Sequence, residues 1–335
     1  MNPETVRDLG LALLGASSHA AILGMAILGV RSLLGRHLGP EWRCLLWLVV
    51  IVRLAWPIQL PSPVSLFNLT GPLLPRLSAA EIPAEHWNAI AVAWFVGASI
   101  LLIRTLFGHA KAWWIIRDAR AIDSWEVWWL WESCRLESGI SAPVRLMETG
   151  RVQSPCLIGS LQPRLLVPVG FSMTFSQEEM RLVFLHELGH LRRGDLLWNW
   201  LLEIVRAVHW FNPVVWIVYR KLREDREEAC DADALSSTPG CNQTYGRVLL
   251  RVLELMSTGP TRIGQALLRF DGGAEAPESL VHRVRAIARF RTEHRTWVVG
   301  FCTVLAFILV GLTDGEPATS GHPTPGTAVS STATS

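Results

Sequence analysis

The 335-residue chain is half apolar and only 18% charged, with a mean hydropathy of +0.28, which is too oily for an ordinary soluble enzyme. Its net charge is +2 and its arginines fall in blocks beside apolar stretches, so direct nucleic-acid binding is not expected. The cysteines (Cys44, Cys134, Cys156, Cys230, Cys241 and Cys302) form no CxxC pair, which excludes a zinc ribbon or a redox motif. All are expected to be reduced.

Residues 9–30 carry no formal charge and suffice to cross a hydrocarbon core, which needs roughly 20 helical residues. A signal peptide is the competing reading. Against it, Glu4 and Asp8 flank the one arginine of the amino terminus, and no small-residue cleavage site precedes a soluble segment. A second span is read at residues 44–60, where the only charge, Arg53, either snorkels outward or pairs inside the bundle. The third runs over residues 87–103 and the fourth over 297–312. Trp42, Trp56, Trp87 and Trp297 stand at span ends, as interfacial aromatics do. His19, inside the first span, has no evident partner.

Orientation follows from three basic regions. Arg31, Arg36 and Arg43 separate spans one and two, Arg104, Lys111, Arg117 and Arg120 follow span three, and Arg283, Arg285, Arg289, Arg291 and Arg295 precede span four. The positive-inside rule makes all three cytoplasmic, with an external loop at 61–86, an external tail at 313–335 and both termini outside. Residues 196–219 are another apolar stretch, but Glu203, Arg206 and an Asn212-Pro213 break read as a helix buried in the catalytic domain. A crossing there would put His190 and Glu227 on opposite faces of the bilayer.

Residues 105–296 mix helix-like and strand-like patterns, an α+β domain between helical membrane segments. Residues 124–139 have helical periodicity ending at Gly139, while 144–147, 156–158 and 165–167 are short apolar runs expected to form a small sheet. Ser176 and Glu179 make a capping box that starts a helix carrying HELGH at 186–190. On it His186 and His190 share one face and point to a common zinc ion, with Glu187 placed as general base toward water. The competing reading is two surface histidines on a charged helix. In REDREEACDADAL, residues 223–235, Glu227 and Asp231 lie one turn apart. Glu227 is expected as third ligand and Asp231 as the carboxylate orienting a ligand imidazole. Glu224, Asp225 and Glu228 read as a solvated acidic face, with Glu228 the alternative ligand. Asp195 either closes the HELGH helix or bonds to a ligand histidine. Tyr245 and His209 are candidate stabilisers of a tetrahedral intermediate, weighed against plain packed residues.

SPCLIGSLQPRLLVP at 154–168, LHELGHLRRGD at 185–195, HWFNPVVW at 209–216 and REEACDADAL at 226–235, after three spans and before a fourth, resemble the BlaR/MecR-type membrane zinc metallopeptidases. The resemblance implies a gluzincin-like peptidase with His186, His190 and Glu227 on zinc and Glu187 as base. It also implies a peptide-binding strand edge near 154–168, in the cytoplasmic (inner) membrane of a bacterium. The implied partners are the lipid bilayer and a cytoplasmic protein substrate such as a DNA-binding repressor, or the chain itself; a homo-oligomer is left open. The Ser-, Thr-, Gly- and Pro-rich tail after residue 312 is expected to be disordered and departs from the large penicillin-binding domain of the antibiotic-sensing members. The competing functions are membrane-protein quality control and a non-catalytic, zinc-bound signalling scaffold.

Overall fold

The computed structural model describes residues 3–35, 37–55, 65–66, 83–258, 277–290 and 296–313. Most of the expected external loop, the outer end of the second span with Trp56, residues Arg36, Arg291 and Arg295, and the tail beyond residue 313 lie outside the described residues. Among the described residues the order is α1 (Pro3–Leu34), α2 (Pro40–Ala55), α3 (Ala84–Asp118), β1 (Arg120–Ala121), α4 (Trp125–Glu137), β2 (Arg145–Thr149), β3 (Cys156–Ile158) and β4 (Arg164–Pro168). Then come α5 (Phe171–Thr174), α6 (Gln177–Arg192), α7 (Asp195–Val208), α8 (Pro213–Ser237), α9 (Asn242–Thr258), α10 (Pro277–Arg289) and α11 (Thr296–Gly311).

Among the described residues, two helices are long and apolar enough to cross a membrane, Glu4–Leu34 and His86–Asp118; Trp297–Gly311 is apolar but shorter, and α2 has 16 residues. The helix of the expected third span, α3, continues beyond residue 103. It passes through Arg104 and stops only where Ala119 turns extended (φ −80°, ψ 143°), a charge being no obstacle to helical hydrogen bonding. Its first part exposes Phe95 (66%) and Phe107 (72%), while its last turns bring Ile115 onto Val152 and Leu166.

The sheet has the order β1-β2-β4-β3, with β2 and β4 parallel and the two outer pairs antiparallel. Alternation along β4 sends Leu165 and Val167 into the main core and Leu166 to the α3 side. That main core gathers Trp131 of α4, Phe171 of α5, Phe184 and Leu188 of α6, Leu235 of α8, Val248 of α9 and Ile287 of α10. Fully burying each such side chain contributes about 1.5–3 kcal/mol. The Trp131 indole also donates to Val144 O at 3.0 Å, so its polar edge is satisfied. β1 and β3 are the two edge strands of the sheet.

A second core joins Leu23 and Ile27 of α1, Leu46, Trp47 and Val50 of α2, Leu202 and Val205 of α7, Val215, Val218 and Leu222 of α8, and Val304 of α11. The 196–219 stretch is therefore two helices broken at Asn212, whose side chain caps α8, and it is buried against α1 and α2 as well as the catalytic part. Trp94 Nε1 donates to Val208 O at 2.8 Å and Trp210 Nε1 to Trp94 O at 3.2 Å. Gly97 makes room for this corner, since a Cβ there would lie 2.3 Å from the Trp210 ring. Glu203 and Arg206, which argued against a span, pair with each other, and Tyr219 and Thr105 add hydroxyls to the same carboxylate.

Other expectations change for the same reason, that these helices bury faces the sequence left open. Arg53 is buried and bonds His19 at 2.9 Å, which favours pairing over snorkelling and gives His19 its partner. Trp87 is buried on α1 at Gly10, whereas Trp42 meets Trp297 edge-on at 6.1 Å. On the acidic face of α8, Asp225 and Glu228 are buried, not solvated, whereas Glu224 is partly exposed. Asp225 is 1% exposed and accepts from Arg31, Arg43 and Trp47 Nε1, and Glu228 pairs with Arg43 and His282. Of that face, Glu224 pairs with Lys221 at 2.6 Å.

Candidate functional site

α6 starts on a reciprocal cap: Glu179 N–H donates to Ser176 Oγ at 3.3 Å and Ser176 N–H to Glu179 Oε2 at 2.8 Å. From there Met180, Val183, Phe184 and Leu188 bury one side, which turns His186 and His190 to the other, their rings 5.0 Å apart. α8 crosses closely at Gly189, where a Cβ would lie 3.3 Å from Cys230 Sγ. That close approach lets Glu227 reach both rings. Its Oε2 lies 3.6 Å from His186 Nε2 and its Oε1 3.7 Å from His190 Nε2.

The opposite ring nitrogens are held from behind. Asp231 Oδ1 lies 3.0 Å from His186 Nδ1, and Asp195 Oδ2 2.8 Å from His190 Nδ1, which leaves both Nε2 atoms facing inward. Gly194, at φ +69°, turns the chain from α6 into α7 so that Asp195 can reach back. Arg226 then fixes Asp195 through Nε to Oδ1 and Nη2 to the backbone carbonyl, both at 2.9 Å. Tyr245 donates to Asp231 Oδ1 at 2.6 Å, with its oxygen 2.9 Å from His186 Nδ1. Arg283 grips Asp231 and reaches Glu227.

Charge follows from these contacts. Burial alone would lower the pKa of His186, but the Asp231 and Glu227 carboxylates raise it to about 10. Against burial, Arg283 and the histidines hold Glu227 well below the usual carboxylate range. Asp231 is lowered likewise against burial, by Arg283 and His186. Glu187 behaves oppositely: burial pushes its carboxyl up, against the nearby imidazoles and a hydrogen bond from the Leu157 N–H of β3. Burial raises the Cys156 thiol beside it to about 12, with Glu187 adding to the shift.

The donor set fits zinc. Ligand atoms about 2.1 Å from a tetrahedral ion stand about 3.4 Å apart, close to the separations from Glu227 to the two rings. His186, His190 and Glu227 form one group of donors within 4.8 Å of one another. His190, Asp195 and Cys230 form another within that limit. It lies on the Nδ1 side of the same ring, where Asp195 is engaged by Arg226 and burial raises the Cys230 thiol well above its ordinary pKa, so it supports the ring.

The structure thus gathers His186, Glu187, His190, Glu227, Asp231, Asp195 and Tyr245. Tyr245, weighed between a stabiliser and a packed residue, bonds Asp231 and lies at Nδ1 of His186, and the carboxylate of Glu228, the alternative ligand, turns to Arg43 and His282. His209 is not brought to the group. It sits at the far end of α7, about 20 Å of helix from Asp195, and bonds Ser17 Oγ at 2.7 Å.

The family described as BlaR1 peptidase M56 matches residues 11–287. The chain belongs to this family. Among curated M56-like relatives, the regulatory protein BlaR1 of Bacillus licheniformis is 27% identical over 234 residues, 70% of this chain and 38% of that protein. The methicillin resistance mecR1 proteins of Staphylococcus aureus and Staphylococcus epidermidis are each 26% identical over 149 residues, 44% of this chain and 24% of theirs. The chain therefore matches well under half the length of these relatives. Within this M56 chain, sequence reasoning missed Arg283 and Arg226 as members of the site. Arg283 was legible only as one of a basic block, and Arg226 only as part of an acidic run.

Proposed function

We propose that this M56 chain is a zinc metalloendopeptidase held in a bacterial inner membrane by four spans, with both termini outside and the HELGH centre in the cytoplasm. It cleaves a cytoplasmic, repressor-like regulator, or itself, in transmembrane signalling. The observation that carries the reading is the convergence of two Nε2 atoms and the Glu227 carboxylate beside Glu187. The length and apolar character of α1 and α3, with the shorter apolar α11, support the membrane setting.

Zinc, when bound by His186, His190 and Glu227, supplies Lewis acidity toward water and the scissile carbonyl. Glu187, made more basic by burial, takes the proton of the attacking water and passes one to the leaving amine. Asp231 and Asp195 keep the imidazoles in the tautomer that presents Nε2. An extended substrate pairs with the free edge of β3, whose Leu157 lies at Glu187.

Glu187→Ala is expected to keep its zinc by elemental analysis and to lose cleavage by about 10²- to 10⁴-fold. Unchanged processing of the regulator and of the chain itself in cells carrying this variant would refute the mechanism.

A further inference from the structure

α10 contributes one side chain to the centre, and it is 5% exposed. Arg283 Nε and Nη2 donate to Asp231 Oδ2 and Oδ1, each at 2.8 Å, while Nη1 stands 3.1 Å from Glu227 Oε2. One planar guanidinium therefore fixes two carboxylates a single turn apart on α8. One of these faces both Nε2 atoms, and the other holds Nδ1 of His186. A rigid fork with five donors can do this; the compact ammonium of lysine cannot engage both carboxylates in one geometry.

A glutamate on a helix has several rotamers, most of which point its oxygens away from a given spot. Glu227 Oε2 lies 3.1 Å from Arg283 Nη1 and 3.6 Å from His186 Nε2, and of these two Arg283 keeps its charge when the imidazole is neutral. The helix that bears it is independently docked, with Ile287 in the main core and Asn242 Nδ2 donating to Ile287 O at 2.9 Å and Phe290 O at 3.2 Å. Residues 290–295 then join α10 to α11. The clamp thus arrives from outside the HELGH and REEACDADAL segments, from the element next to the last apolar helix.

We infer that Arg283 is a positioning residue for the metal ligands, holding the Glu227 carboxylate in its binding rotamer and Asp231 on His186. The inference rests on the zinc reading above and concerns affinity for the metal, whatever the substrate. It is tested on the full chain in detergent in a Glu187→Ala background, so that self-cleavage does not interfere. The probe is zinc itself, titrated against a chelator, together with the zinc-induced rise in Tm.

Arg283→Met is expected to weaken zinc affinity by about 10- to 100-fold and Arg283→Lys by about tenfold, with the zinc-induced rise in Tm reduced in step. An arginine that serves only to dock α10 would lower the Tm of metal-free and zinc-loaded protein alike and leave the affinity unchanged. That result overturns the inference and leaves the peptidase reading intact. If Arg283→Met cannot be purified folded, Arg283→Lys decides alone, and parental affinity in it is likewise a refutation. A parent chain that holds no zinc refutes the peptidase reading itself.

Discussion

The two halves of α8 carry acidic residues into opposite settings. In its first half Val215, Val218 and Leu222 lie in the core shared with α1 and α2, and the first buried carboxylate beyond them, Asp225, is saturated by Arg31, Arg43 and Trp47. Further on, Ala234 and Leu235 lie in the core shared with the sheet and α6, and there Glu227 and Asp231 meet the HELGH imidazoles while Asp233 pairs with Arg192 and Arg193. An acidic run thus makes a mechanical joint at one end and joins a group of donors that could hold a metal at the other. What each carboxylate does is set by which helix packs against it.

The comparison breaks most visibly at Asp225. Asp225→Ala leaves two largely buried arginines without their shared acceptor, and unfolding in detergent is expected to lose about 3 kcal/mol. An unchanged midpoint would mean that the joint contributes nothing. A smaller effect belongs to the other half. Tyr245→Phe keeps the packing but removes the hydroxyl shared by Asp231 and His186, and is expected to cost about 1 kcal/mol in the same assay.

The same contacts set a dependence on pH. His186 has a folded-state pKa raised to about 10 in the metal-free protein. The stability this contributes is complete below its unfolded value, roughly 6.5, and is lost as pH rises through about 10. Zinc needs the neutral ring, so the Tm gap between loaded and metal-free protein should widen from pH 6.5 toward 10. A gap that narrows would contradict the assigned contacts of His186.

Local chemistry made much of this legible from sequence. The Ser176 cap, the i, i+4 spacing of His186 with His190 and of Glu227 with Asp231, and the short runs that became β2, β3 and β4 are all signals within a few residues. Arg283 was not legible, because its partner lies 52 residues away and the positive-inside rule already explained its basic block. The buried role of Asp225 was hidden for a related reason: periodicity shows that a face is acidic but not that α1 and α2 bring cations to it. His209, beside an Asn-Pro break, looked like site chemistry. It is a packing residue on α1, because α7 carries it away from His190 along the apolar bundle.

The passage of α8 through both cores means that the catalytic part is not an autonomous folding unit. Cutting the chain after α3 would strip Arg31, Arg43 and Trp47 from Asp225 and bare Leu222, Val218 and Val215, loosening the helix that presents Glu227. The packing of α1 and α2 and the placement of Glu227 are thereby coupled, because Arg31, Arg43 and Trp47 hold the turn of α8 that precedes it.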